Sequence, residues 1–201
     1  MMLFLIIAPF ATFATLMMLL PAQFSLAAGA AVALGAMVWD VAHGRSIKML
    51  SLGAFTLFSA IGGYLTLVDA NWSSTAVRLA VDGGVLAMAL GSLAVRFPFT
   101  LQYAREVVEP EVMKLPSFMR VNYVLTWAWT SAFVLMLAAD VVAIYLPSFP
   151  LWAGAGIAFA ARNGAIYFTK WYPKHRREAA AAALPQDATP HLALPRTASI
   201  I

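Results

Sequence analysis

Long apolar runs alternate with short polar segments, and this alternation constrains the fold more than any other feature of the chain. The apolar runs cover residues 1–20, 24–41, 49–68, 76–95, 123–145 and 151–168, and the longest polar interruption is 96–120. At a rise of 1.5 Å per residue, each run is close to the length that crosses about 30 Å of hydrocarbon. The pattern predicts an all-α, polytopic membrane protein with six transmembrane helices.

Composition agrees with a lipid environment. The 201 residues are 62% hydrophobic and 11% charged, which is too apolar for one water-soluble core. The net charge is +4, but Lys and Arg lie at the ends of the apolar runs and form no patch with interleaved aromatic residues, which argues against nucleic acid as a partner. The absence of cysteine excludes disulfides, zinc–thiolate sites, iron–sulfur clusters and thiol nucleophiles.

The first apolar run has two interpretations. Ala27, Ala28 and Ala30 could supply the small residues of a signal-peptide cleavage site, which would leave five spans. No Lys or Arg precedes the run, however, and a signal peptide normally begins with positive charge. We therefore expect a retained helix, with a kink at Pro9.

The polar interruption contains a helical pattern. Apolar residues recur on one face and polar residues on the other: Phe97, Leu101, Ala104 and Val108 against Gln102, Arg105, Glu106 and Glu109. This predicts an interfacial amphipathic helix over 98–109, lying in the membrane surface and ended by Pro110. We interpret the carboxylates Glu106, Glu109 and Glu111 as a solvated face, with a metal site as the alternative.

Charge distribution predicts the orientation. Lys and Arg are concentrated in the segments 42–48 and 96–120 and after residue 169, whereas the opposite connections carry only Arg78. By the positive-inside rule, both termini are predicted to be cytoplasmic. The segment 173–201 is predicted to be a largely disordered cytoplasmic tail, because its last part is punctuated by proline.

A few polar residues fall inside the predicted spans. Arg78 and Asp82 are one helical turn apart, which favours an ion pair at the outer rim. Asp140 and Arg162, with Asn163 beside it, lie deeper, where charge is costly unless it faces protein or water. Arg162 could pair with Asp140 or Asp82 in a salt bridge that fixes helix register, or it could bind an anionic ligand or lipid headgroup.

The sequence offers few candidates for reactive chemistry. His43, His175 and His191 lie outside the apolar runs, which argues against haem held within the bilayer by paired histidines. No serine-hydrolase, phosphate-loop, zinc-protease or calcium-loop motif is present. We therefore predict no catalytic residue, no cofactor and no metal, although catalysis by an intramembrane Asp with Arg162 stays open on depth alone.

Several short motifs resemble the bacterial intracellular septation protein A family of small inner-membrane proteins. They are Ala8-Pro9-Phe10, the aromatic and basic segment 39–48, the Gly-Gly-Tyr-Leu-Thr-Leu string at 62–67, the proline-containing segment 96–101 and the Asn-x-x-x-Thr-Trp-Ala string at 122–128. The resemblance covers roughly residues 1–172. It implies a location in a bacterial inner membrane and a non-enzymatic role in envelope maintenance or cell division, through contacts with other membrane proteins.

Two classes of function follow. The first is a non-enzymatic interaction protein whose partners are membrane lipids and other membrane proteins or a second copy of itself. The second is a small-solute or ion transporter or channel that uses Asp82, Asp140 and Arg162. A water-filled cavity lined by Asp140 and Arg162 would favour transport, and a dry pair between them would oppose it.

Overall fold

The computed structural model describes residues 2–146, 148 and 150–182, and every regular element among them is a helix. The helices are α1 (Met2–Leu16), α2 (Ala22–Ala42), α3 (Met49–Leu67), α4 (Ser74–Ala94), α5 (Phe99–Ala104), α6 (Pro110–Met113), α7 (Pro116–Tyr145) and α8 (Leu151–Ala182). The predicted all-α class is therefore confirmed.

Four of the described helices, α2, α3, α4 and α7, are long and apolar enough to cross a membrane. This supports a multi-pass membrane protein with fewer clear spans than the six expected. The helix α1 is apolar but has only 15 residues. The helix α8 has 32 residues, but Arg162 and Asn163 interrupt its apolar half.

Packing mostly follows chain order. The helix α1 packs against α2, α2 against α3, and α7 against α8. The contact between α4 and α7 joins the first half of the molecule, α1–α4, to the second half, α7 and α8. The core of the first half contains Phe13, Leu26 and Phe58. Close approach is possible because α2 carries Gly29, where an added Cβ would lie 2.8 Å from the Phe58 ring.

The helix predicted over 98–109 is present but shorter than expected. The helix α5 ends at Ala104, turns follow it, and Pro110 begins α6 instead of ending a helix. The apolar side of α5 is buried in protein, with Leu101 fully enclosed. The periodicity identified a helix with an apolar face, but it contained no information on whether lipid or protein covers that face.

Hydrogen bonds hold α5 against α4 and α7. The Ser92 hydroxyl of α4 accepts from the Phe99 backbone N–H at 3.3 Å. The Thr100 hydroxyl donates to the carbonyl of Asn122 in α7 at 2.9 Å and lies 2.9 Å from the Thr126 hydroxyl. This short helix is therefore docked between the end of α4 and the start of α7.

Two element boundaries also differ from expectation. The helix α7 begins at Pro116, seven residues before the predicted run 123–145, because proline is well tolerated in the first turn. The helix α8 continues to Ala182, well past residue 168, and includes Pro173. The first part of the predicted tail, 173–182, is thus helical, and Lys174 and Glu178 pair there one turn apart at 3.8 Å. Residues 183–201 lie outside the described part of the chain.

Candidate functional sites in the helical bundle

The first polar group, here called the Arg78 cluster, consists of Arg78, Asp82 and Asp140. Arg78 lies near the start of α4 and Asp140 near the end of α7, so antiparallel packing of the two helices brings them level. The Arg78 Nε lies 3.8 Å from Asp140 Oδ1. The Asp82 carboxyl, one turn further along α4, neighbours both groups.

The predicted pair of Arg78 with Asp82 is therefore replaced by a pair across the α4–α7 interface. A separation of 3.8 Å is within reach for an ion pair but too long for a hydrogen bond. Arg78 Nε and Asp140 Oδ2 are both buried without a hydrogen-bond partner among the described residues. The cluster places two carboxyl groups beside one guanidinium, so a single positive charge faces two acidic groups.

Arg162 and Asn163 do not join the Arg78 cluster. Arg162 is half-buried on α8 and forms no ion pair with any carboxylate in the described ranges. Asn163 is exposed and donates from Nδ2 to the carbonyl of Phe159 on its own helix, at 2.7 Å. The structure thus brings together Arg78, Asp82 and Asp140 from the five predicted residues, and it leaves Arg162 apart from both expected partners.

The second polar group, here called the Lys48 cluster, was not predicted. Lys48 precedes α3 and is only 3% exposed. Its ammonium donates to the carbonyl of Ser46 at 2.8 Å, forms an ion pair with Glu106, and lies 3.8 Å from Asp40 Oδ2 at the end of α2. One lysine therefore joins the end of α2, the start of α3 and the turn after α5.

Neighbouring side chains strengthen this connection. Gln102 of α5 accepts at Oε1 from the Met49 backbone N–H at 2.7 Å, which satisfies one of the free donors at the start of α3. Burial raises the pKa of the Tyr103 hydroxyl, and the nearby Asp40 carboxylate adds to the effect. Two independent polar links, through Lys48 and Gln102, thus hold α5 to the α2–α3 connection.

The expectation for Glu106 is wrong. Glu109 and Glu111 are exposed, as a solvated face requires, but the Glu106 side chain is only 16% exposed against Lys48. A signal for this existed in the sequence, since Asp40 is an isolated carboxylate in an apolar run and Lys48 directly precedes the next run. The identity of the third partner, 58 residues further along the chain, required the fold.

Metal ligation finds no support in the described ranges, since no three His, Asp or Glu side chains there come together in a group that could hold an ion. His43 instead lies 2.8 Å from the carbonyl of Trp39 through Nδ1 and stacks on its ring.

Comparisons of this chain with protein-family models, with characterised proteins and with solved structures found no match. The resemblance to the septation protein A family therefore stays a prediction.

Proposed function

We propose that this protein is a non-enzymatic, multi-pass protein of a bacterial inner membrane. In this proposal it acts in envelope maintenance or cell division, through contacts with other membrane proteins or with a second copy of itself. Membrane lipids surround its helices. The observation that carries the proposal is that the buried charges connect one part of the bundle to another. An ion pair joins Arg78 to Asp140, and a second group joins Lys48 to Asp40 and Glu106.

The proposal includes six spans with both termini cytoplasmic. Packing of α1 on α2 and of α8 on α7 supports adding these two helices to the four long apolar ones. The apolar residues 17–20 lengthen α1 toward a full crossing. Basic residues support the orientation, because the α2–α3 connection, the segment 96–120 and the inner half of α8 all carry Lys or Arg.

Gene deletion tests the proposed role. In a bacterium that carries the gene, we expect its loss to change cell length or to increase permeability to detergents. The double variant Arg78→Gln with Asp140→Asn should restore the normal phenotype if it accumulates to the wild-type level, because the pair serves structure. Normal division and permeability after deletion, together with the loss of uptake of a solute, would overturn the proposal.

Transport is the second candidate, and the Arg78 cluster is the observation that favours it. Asp82 and Asp140 are brought together as a transport site would require, beside one guanidinium that can balance only one of them. If the protein carries cations, Asp82→Asn should abolish flux into liposomes that contain the purified protein. Glu111→Gln, a change at an exposed carboxylate, is the matched control.

A further inference from the structure

The helix α8 continues well beyond the apolar part of its sequence. It packs mainly on α7, through a side where Ala165 is buried and the Trp129 indole N–H donates to the Thr169 hydroxyl at 3.0 Å. From Thr169 the helix runs on to Ala182, which at 1.5 Å per residue is about 20 Å further. The charged residues of this extension therefore keep the fixed angular positions of a helix.

Three basic side chains line up on one face of the extension. Lys170, Lys174 and Arg177 are all exposed and follow one another at intervals of four and three, and we call them the basic stripe. Glu178 lies 3.8 Å from Lys174, but both side chains are more than 60% exposed, so water screens this pair. Lys170 and Arg177 form no ion pair with a carboxylate in the described ranges. The stripe therefore presents positive charge outward.

The basic stripe continues the face that α8 turns away from α7. Tyr167 precedes Lys170 by three positions, so it lies on the same face, and it is 68% exposed. Trp171, on the adjoining side, is 42% exposed. Tyr and Trp are enriched where hydrocarbon meets the polar headgroups. Along this face the surface thus changes from apolar to aromatic and then to basic, in the order of the layers of a bilayer.

Distances along the helix place the basic stripe at the level of the lipid phosphates. The headgroup layer adds about 5–8 Å to each side of the hydrocarbon. With Trp171 at its inner edge, Lys174 lies about 5 Å and Arg177 about 9 Å outward along the axis. Side chains of a helix tilt toward its N-terminus, which here is the direction of the membrane, and the long stems of Lys and Arg extend this reach. All three cations can therefore contact phosphate groups.

We propose that the basic stripe of α8 binds the headgroups of anionic phospholipids on the cytoplasmic side of the membrane. Opposite charge favours these lipids, because Lys and Arg near an anionic surface are attracted to it, whereas the ammonium of a zwitterionic headgroup offsets its phosphate. The position of the stripe, directly beyond the lipid-facing aromatic residues, favours a lipid over a soluble anion. The inference rests on the proposed membrane location of α8, to which it adds the class of lipid.

Fluorescence quenching beside the basic stripe tests the preference. Asn163→Cys provides a single site for a bimane label, because the chain has no native cysteine and residue 163 is exposed on the same face, two turns before Lys170. In phosphatidylcholine vesicles, nitroxide-labelled phosphatidylglycerol should quench the label more than nitroxide-labelled phosphatidylcholine at the same mole fraction. Lys174→Gln with Arg177→Gln should reduce this preference by roughly 5-fold for each side chain removed. High salt should also reduce it.

Arg45→Gln with Lys114→Gln is the matched control, since it removes the same two residue types from exposed positions outside α8. The control should keep the preference, and an equal loss in the two double variants would overturn the proposal. So would a preference that dissolved glycerol phosphate abolishes, or binding of soluble polyglutamate in place of phosphatidylglycerol. Equal quenching by both lipids would refute the lipid class alone, whereas quenching by neither lipid would contradict the membrane location of α8.

Discussion

At the scale of single residues, Lys48 is a buried charge that connects three elements. Its ammonium is almost completely enclosed and faces carboxylates from two other elements. Removing one partner of a buried ion pair leaves charge without compensation, which costs more than the pair contributes when intact. Lys48 is therefore the side chain on which the connection between α2, α3 and α5 depends most.

Lys48→Met should lower the stability of the protein strongly, because Asp40 and Glu106 are then buried together without their cation. We expect a loss of about 3–5 kcal/mol in unfolding free energy. Glu111→Gln, at an exposed site, should change it by less than about 0.5 kcal/mol. Unfolding in mixed detergent micelles measures both, and equal stability of the two variants would contradict the role of Lys48.

Tyr103 gives a pH dependence at the same scale. Because its pKa is raised from 10.0 by burial, the folded protein holds the phenol proton more tightly than the unfolded chain does. The contribution of the protonated Tyr103 hydroxyl to folding stability is therefore complete below pH 10 and is lost as the pH rises further. Thermal unfolding from pH 9 to about pH 11.5 should show a steeper fall for the wild type than for Tyr103→Phe. Parallel curves would show that the hydroxyl is not buried.

At the scale of elements, α5 shows what sequence reasoning could and could not predict. The long apolar helices could be predicted because run length and hydropathy are local properties. The docking of α5 depends on Thr100 meeting Asn122 and on Glu106 meeting Lys48, and these partners are distant in sequence. The same limit applies to Asp140, whose pairing with Arg78 required the α4–α7 contact.

Thiol labelling can test the docking of α5. Leu101→Cys should react slowly with a membrane-permeant maleimide, because residue 101 is fully enclosed. Val107→Cys, in the exposed turn that follows, should react rapidly. The reaction rate of each cysteine in the denatured protein is the control. If α5 instead lay on the membrane surface as an independent helix, the two positions would react at similar rates relative to that control.

At the scale of the whole molecule, the contact between α4 and α7 holds the two halves together and contains the Arg78 cluster. Arg78→Gln leaves two neighbouring carboxyl groups without a guanidinium, whereas Asp140→Asn leaves Arg78 with Asp82. The first variant should therefore lose more unfolding free energy than the second, by about 0.5–3 kcal/mol. Thermal unfolding of both variants in detergent measures the difference. Equal losses, or a greater loss for Asp140→Asn, would contradict this geometry.

In the proposed topology, the helices cross a membrane with the basic connections on one side. Single cysteines at Ser46 and Ser117 should react with an impermeant maleimide only from the cytoplasmic side, and a cysteine at Ala70 only from the opposite side. No native cysteine contributes background. Labelling of Ser46→Cys and Ser117→Cys from opposite sides of the membrane would contradict the account.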